Sequence, residues 1–192
     1  MKFEIIEEPI TALAEHACIP IKFVVRSVFD LTEEPDTGPG MRMKERALES
    51  PYVKDYDAIK GEGPTRWAKR FDVTNWGLIS AWLGGTRVGG TVIARDTPGV
   101  DLLEGRHDLA VLWDLRVATD CRGQGVGSAL FRAAEEWGAA RGCRQLKVET
   151  QNINVPACRF YQRMGCKLGA ANRGAYPEFP DEVQLLWYKY SP

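Results

Sequence analysis

The sequence predicts an α/β domain on a mixed sheet, antiparallel through its first half and parallel at one strand pair. Three observations predict it. Two apolar, β-branched runs, 76–83 and 87–95, flank Gly84-Gly85-Thr86, which is a hairpin signal. Apolar runs at 110–118 and 145–150 bracket a stretch with helical spacing at 126–141, and a strand–helix–strand crossover implies a parallel pair. A short helix at 154–164 and strands at 165–170 and 183–190 complete the alternation.

The chain opens with residues 2–7, where Phe3 and Ile5 alternate with polar neighbours and read as a strand. Residues 20–31 are apolar and aromatic, and Thr37-Gly38-Pro39-Gly40 breaks the pattern. The charged segment 41–49 is rich in helix formers and predicts a helix. Residues 50–65 carry Pro, Gly and charges and read as a loop, as does the polar connector 96–107. Within 126–141 the apolar residues stand at 126, 129, 130, 133, 134, 137 and 140, one buried face, and Gly142 stops the helix. No repeat or low-complexity segment interrupts the chain, and 192 residues with 44% hydrophobic content fit a single domain over 1–192.

Composition excludes several function classes. A net charge of −1 argues against nucleic-acid binding, which needs a concentrated basic surface. No run approaches the ~18 apolar residues of a membrane span, and the acidic start Met1-Lys2-Phe3-Glu4 is no secretory signal. Five cysteines, at 18, 121, 143, 158 and 166, include no CxxC pair; this argues against a disulfide framework, a zinc site or any metal, and for a reducing, cytoplasmic compartment. The two histidines, His16 and His107, read as structural and surface residues. A homodimer is compatible with these features.

The strand ending near Ala118 leads into Thr119-Asp120-Cys121-Arg122-Gly123-Gln124-Gly125-Val126-Gly127-Ser128 and then the long helix. Glycines at 123, 125 and 127 allow close backbone approach and positive φ. Successive N–H groups at a helix N-terminus make an anion site, and Arg122 adds a phosphate-matching fork. A pyrophosphate suits this turn; a plain connector also would. A dinucleotide fingerprint lacks its third glycine here, and no Gly-Lys-Ser/Thr is present after the turn to make a P-loop. Downstream, Asn154 is an N-cap, Pro156 fits a first helical turn, and Asn154, Cys158 and Tyr161 share a helix face. By themselves Phe160 and Tyr161 are equally good core aromatics.

Arg122-x-x-Gly125-x-Gly127, after a strand with Leu115-Arg116-Val117 and before a long helix, resembles the acetyl-CoA pyrophosphate motif of the GNAT N-acetyltransferase superfamily. The resemblance implies the GNAT fold, with the parallel strands splayed at the acetyl-CoA site, and acetyl-CoA as cofactor. It implies pyrophosphate binding by Arg122, Gly123, Gln124, Gly125, Val126, Gly127 and Ser128, and pantetheine pairing by the main chain of Leu115, Arg116 and Val117. Asn154, Ala157 and Tyr161 resemble the second cofactor segment, where Asn contacts pantetheine and the Tyr hydroxyl lies near the thioester sulfur. Tyr161 is then the acid for the departing thiolate. Glu149-Thr150-Gln151-Asn152-Ile153-Asn154, Ala157-Cys158-x-Phe160-Tyr161, Glu182-Val183 with Trp187-Tyr188, and Ile19-Pro20-Ile21 with Asp30-Leu31 are similar to streptothricin acetyltransferases. That closer resemblance is strong over 112–190 and thin before it; 35–75 matches nothing and is expected to shape the acceptor side.

Acyl transfer from a thioester needs a neutral amine, a polarised carbonyl and an acid for the leaving thiolate. A strand N–H among residues 115–117 can polarise the carbonyl. Asp114 and Glu149, on adjacent strands of the predicted order, are the candidate bases, and either can instead bind a cationic acceptor or serve structure. Trp113, Trp187 and Tyr176 are candidates for the acceptor wall, though single tryptophans more often belong to cores. Glu178, Asp181 and Glu182 suit a cationic acceptor. The expected activity is acetylation of a primary amine on a small cationic molecule, streptothricin first. Acetylation of a protein N-terminus or lysine is the second reading, and a non-catalytic acetyl-CoA sensor the third, which turnover with any amine excludes.

Overall fold

The computed structural model describes residues 2–34 and 40–190, with main chain alone at 33, 34 and 40. In chain order the elements are β1 (Glu4–Glu8), α1 (Leu13–His16), β2 (Phe23–Glu34), β3 (Gly40–Lys54), α2 (Pro64–Arg70), β4 (Gly77–Leu83), β5 (Thr86–Arg95), β6 (Leu109–Val117), α3 (Val126–Ala139), β7 (Gln145–Gln151), α4 (Val155–Arg163), β8 (Lys167–Asn172) and β9 (Gln184–Tyr190). They fall into two units: residues 2–22, 55–148 and 188–190, and residues 23–34, 40–54 and 149–187.

The first unit carries the strand order β1-β4-β5-β6-β7. The predicted hairpin is β4–β5, with both turn glycines at positive φ, Gly84 at 55° and Gly85 at 79°, the backbone that a two-residue hairpin turn requires. β1, β4, β5 and β6 are antiparallel neighbours, whereas β6 and β7 run parallel. That parallel ladder runs from Leu109↔Gln145 to Leu112↔Val148 and ends there. The ladder from β6 to β5 continues to Val117, with a register shift at Trp113, because Val92 pairs Asp114 and Ile93 pairs Leu112. An extra residue on one strand of this kind re-aims the residues beyond it.

The predicted crossover helix is α3. It buries Val126, Leu130, Ala134 and Trp137 of the apolar stripe read from the sequence, and Phe131 beside them, while Ala129 and Ala133 are half-buried and Ala140 is exposed. Glycines on the sheet let helices pack close: a Cβ at Gly89 would lie 2.9 Å from Leu130, and one at Gly77 2.4 Å from the Trp137 ring. Trp137 cannot yield easily, since its Nε1 donates to Glu7 at 2.8 Å and Arg141 lies over its ring at 4.0 Å. Gly77→Ala is therefore expected to cost about 1–3 kcal/mol by overpacking, read as a fall in urea midpoint at unchanged m-value. A second apolar cluster joins Leu13, Trp67, Trp76, Leu78, Val92 and Val111, with half-buried Trp113 and Phe71 packed against it.

The second unit holds a long antiparallel ribbon, β2–β3, and the neighbours β8 and β9. Two expectations are corrected here. Residues 41–49 are not a helix but part of β3: helix propensity is a few tenths of a kcal/mol per residue, and the ladder to β2 over residues 41–47 outweighs it. Residues 50–65 are not all loop, since β3 runs to Lys54 and α2 begins at Pro64, with Pro in the first turn. The turn expected at 37–40 falls largely outside the described residues. Asn152 ties the start of the α4 segment to its surroundings. Its side chain donates to the Phe29 carbonyl at 3.1 Å and accepts from the Val183 N–H at 2.8 Å.

Candidate active site

The glycine turn has the geometry of an anion cradle. Gly123 and Gly125 sit at φ 75° and 88°, and a Cβ on either would meet nothing within 4 Å. Gly127 does not need this freedom, because it lies inside α3, so the expectation of positive φ holds for two of the three glycines. Gly125 is the N-cap of α3, with no side-chain cap and no acidic residue in the first turn. The first intrahelical bond is Ala129 N–H to the Gly125 carbonyl at 3.0 Å. The N–H groups of Val126, Gly127 and Ser128 therefore leave the helix end without intrahelical partners, at its positive pole. Arg122 is exposed and braced, its Nε donating to the Val117 carbonyl at 3.0 Å. Gln124 is held by its Nε2–H bond to the Asp120 carbonyl at 2.7 Å. A diphosphate fits such a cradle: open N–H groups, one guanidinium, and no side chain in the way.

On β6, Leu115 and Val117 are half-buried while Asp114 and Arg116 are buried, the alternation of a strand with one face more covered than the other. Arg116 is only 2% exposed. Its Nε donates to both Asp114 oxygens at 3.0 Å, and its Nη1 and Nη2 donate to the Asp57 carboxylate at 2.9 Å. His16 Nε2 approaches Asp114 Oδ1 at 3.1 Å. Burial works against the Arg116 cation, but the Asp114 and Asp57 charges outweigh it and hold its pKa above the ordinary arginine value. His16 and Asp57 had no distinctive sequence signal: a lone His in a four-residue helix and an Asp in a loop acquire meaning only through contacts about 60 to 100 residues away in sequence.

The second unit presents the other expected residues. Asn154 caps α4, accepting from Ala157 N–H at 3.2 Å through Oδ1, so its amide NH₂ is the group it can offer a ligand. Cys158 and Tyr161 lie on the buried face of α4, with Phe160 edge-on to Tyr161 at 5.3 Å. Burial pushes the Cys158 thiol up to about 12, the opposite of an activated nucleophile. Glu149 is half-buried and accepts from the Tyr176 hydroxyl at 2.5 Å, which in turn accepts from Gln151 Nε2 at 2.9 Å. A cavity of about 930 Å³ is lined by Phe29, Asp30, Tyr52, Lys54, Phe179 and Glu182, among others. The Lys54 ammonium pairs with Glu182 at 2.5 Å and lies 3.5 Å from the Phe179 ring centre. Of the expected wall residues, Trp187 is buried, Trp113 packs among Trp67, Phe71 and Trp76, and Tyr176 is half-buried beside Glu149.

Comparison with known proteins decides the family. The model of the acetyltransferase (GNAT) family matches residues 42–166, well over half of the chain. The chain belongs to that family. This acetyltransferase is 29% identical, over all of its length and 97% of the relative's, to a streptothricin acetyltransferase of Escherichia coli. Over 41% of its length it is 40% identical to streptothricin acetyltransferase A of Bacillus subtilis, of which it covers 47%. Two solved structures share its fold at 22% identity. A nourseothricin acetyltransferase superposes with a TM-score of 0.75, covering all of both chains. A candidate streptothricin acetyltransferase of Bacillus anthracis, solved in complex with acetyl coenzyme A, superposes with a TM-score of 0.79, covering 99% of this chain and all of that one. The acetyltransferase uses acetyl-CoA, and its mixed sheet with one parallel pair is the fold the sequence predicts. No helix among the described residues is long and apolar enough to cross a membrane.

Proposed function

We propose that residues 1–192 form one catalytic domain that transfers the acetyl group of acetyl-CoA to a primary amine of a small cationic acceptor, a streptothricin-type antibiotic first. The cradle at 122–128 is the observation that carries the cofactor half of this reading. Arg122 and the N–H groups of residues 124–128, Gly123 and Gly125 included as backbone hinges, hold the diphosphate. The main chain of Leu115, Arg116 and Val117 pairs with the pantetheine arm, and Asn154 and Ala157 contact it from α4. An N–H on β6 polarises the thioester carbonyl, and the Tyr161 hydroxyl gives its proton to the departing thiolate.

Of the two carboxylates offered by the sequence, we assign the base role to Glu149. Its one described donor is a neutral phenol, and a hydroxyl can rotate away as a proton arrives. Asp114 accepts from two N–H donors, His16 Nε2 and the buried Arg116 guanidinium, whose Nε–H is shared between both carboxylate oxygens. Taking up a proton there would leave the Arg116 charge short of its counter-ion, a costly state in a buried site.

For the acceptor, support comes from the chemistry of the second unit's cavity. Asp30 is tied to Arg46, whose guanidinium hydrogen bonds hold its carboxyl below the usual range, and Glu182 to Lys54. Glu178 and Asp181 carry no ion pair among the described residues, which suits a ligand bearing several ammonium groups. The test is thiol release with streptothricin, spermidine, lysine and a short Lys peptide side by side. Turnover of peptide with none of streptothricin overturns the acceptor assignment and favours the protein-acetylating reading.

The cofactor half has its own test. Gly125→Val places a β-branched residue at φ 88°, a backbone that only glycine adopts cheaply, and a side chain in the cradle. Acetyl-CoA affinity by calorimetry is expected to fall by about 3 kcal/mol, roughly two orders of magnitude in Kd. Gly99→Val, equally strained at φ 80° but remote in sequence, controls for strain and should leave affinity within about twofold. Equal affinities for both variants and the parent would remove the cradle assignment.

A further inference from the structure

We infer that His16 is a positioning residue for acetyl transfer, acting through Asp114 on the stretch of β6 beyond its bulge. The inference rests on the reading that residues 115–117 face the cofactor. His16 is wholly buried, and its ring does one polar thing: Nε2 donates to Asp114 at 3.1 Å. The other nitrogen, Nδ1, is buried with no hydrogen-bond partner. An unsatisfied buried polar atom is a stability cost that a phenylalanine or leucine in the same hole would not carry. The neighbouring sheet also yields space to the ring. A Cβ on Gly90 would stand 2.5 Å from Nδ1 and 2.9 Å from Cε1, so the strand opposite Arg116 has no side chain where the imidazole lies. A residue kept for packing alone needs neither feature.

The contacts of Asp114 explain why His16 is there. Asp114 is the first residue after the register shift in β6, and the assigned cofactor stretch begins at the next residue. Its main-chain carbonyl accepts from Thr91 Oγ1 at 2.8 Å, and its carboxylate accepts from His16 and Arg116. Arg116 lies inside the same stretch, and its Nη1 also donates to the Ile19 carbonyl at 3.0 Å. The strand is thereby pinned at two alternate residues to α1, to the segment just after α1, and to the Asp57 loop. A bulge bends a strand, and without these pins the N–H that polarises the thioester would be aimed loosely. Misplacement of about 1 Å costs about 10²-fold in rate, so a partial loosening is expected to show in kcat before it shows in binding.

The experiment compares His16→Phe, which fills the hole without a donor, with His16→Gln, which can still donate to Asp114. Acetyl-CoA affinity is read by calorimetry and kcat by thiol release with a saturating amine. The expected result is a kcat about 10-fold lower in His16→Phe, acetyl-CoA Kd within about threefold of the parent, and most of the loss recovered in His16→Gln. If His16→Phe melts earlier but keeps its kcat, or if His16→Gln is as slow as His16→Phe, the positioning role is overturned. Should His16→Phe not fold, Gly90→Ala displaces the same ring while leaving it in the chain, and the same kcat-against-Kd split decides. Unchanged acetyl-CoA affinity in Gly125→Val would report failure of the cofactor reading on which this inference rests, whereas a lowered affinity there with unaltered kcat in His16→Phe reports failure of the positioning role alone.

Discussion

Tyr161→Phe is expected to lower kcat by about 10²-fold while leaving acetyl-CoA affinity nearly unchanged. The substitution keeps the ring, and the ring is what packs: Tyr161 is buried on the inner face of α4 with Phe160 edge-on beside it. Only the proton is lost, and general-acid help to a leaving group contributes typically 10²–10⁴-fold. The neighbouring Cys158 cannot substitute as the acid. Its burial raises its pKa to about 12, which makes it a weaker donor than a phenol. The measurement is pre-steady-state thiol release, where the chemical step limits the rate, together with calorimetric Kd for acetyl-CoA. A variant that turns over at the parent rate under those conditions leaves Tyr161 as a core residue and moves the acid elsewhere. A variant that loses affinity as much as rate reports on packing of α4 instead, because an interaction made only in the transition state lowers kcat alone.

Glu149→Gln is the second large effect. If Glu149 takes the proton from the attacking amine, kcat falls by about 10²-fold and recovers as pH rises. The acceptor sets the sign: more of the amine is already neutral at higher pH, so the missing base matters less. The glutamine keeps the acceptor oxygen for the Tyr176 hydroxyl, so the Glu149–Tyr176–Gln151 arrangement should survive. A pH–rate profile at saturating acetyl-CoA for parent and variant checks it. If instead KM for the amine rises about tenfold with kcat and the KM for acetyl-CoA unchanged, Glu149 is an ammonium-binding carboxylate and not the base. Asp114→Asn serves as the comparison. On the positioning reading its loss is not rescued by pH, since it moves no proton.

The expected behaviour of the two carboxylates shows how far a sequence carries an argument about a site. Both Asp114 and Glu149 are visible as acids on adjacent predicted strands. Their environments are not. The partner that pairs with Asp114, Arg116, is two residues away and easily seen, but the ones that complete the cluster, His16 and Asp57, lie 98 and 59 residues from the residues they touch. Nothing in local periodicity links such positions. The same reason accounts for β3. Its residues favour a helix one by one, and the strand exists because β2 offers a register of partners along its length, a preference carried by pairing rather than by the segment.

By itself the sequence determined the strand and helix order from residue 76 onward, the glycine turn at 122–128 ahead of a long helix, the Asn-capped helix read at 154–164 and, through those motifs, the acetyltransferase family. These are local signals: a hairpin turn, a 3.6-residue stripe, glycines before a helix, an Asn three residues before the N–H it caps. Each is decided by interactions within a few residues, so composition and spacing are enough to read it. Only the tertiary structure decided that residues 40–54 are a strand, that Gly90 is small to admit the His16 ring, that Asp114 is locked by His16 and Arg116 while Glu149 faces one hydroxyl, and that a cavity opens in the second unit. Those outcomes depend on which distant segments are brought together and on what burial does to charge, and both are properties of the folded chain rather than of any stretch of it.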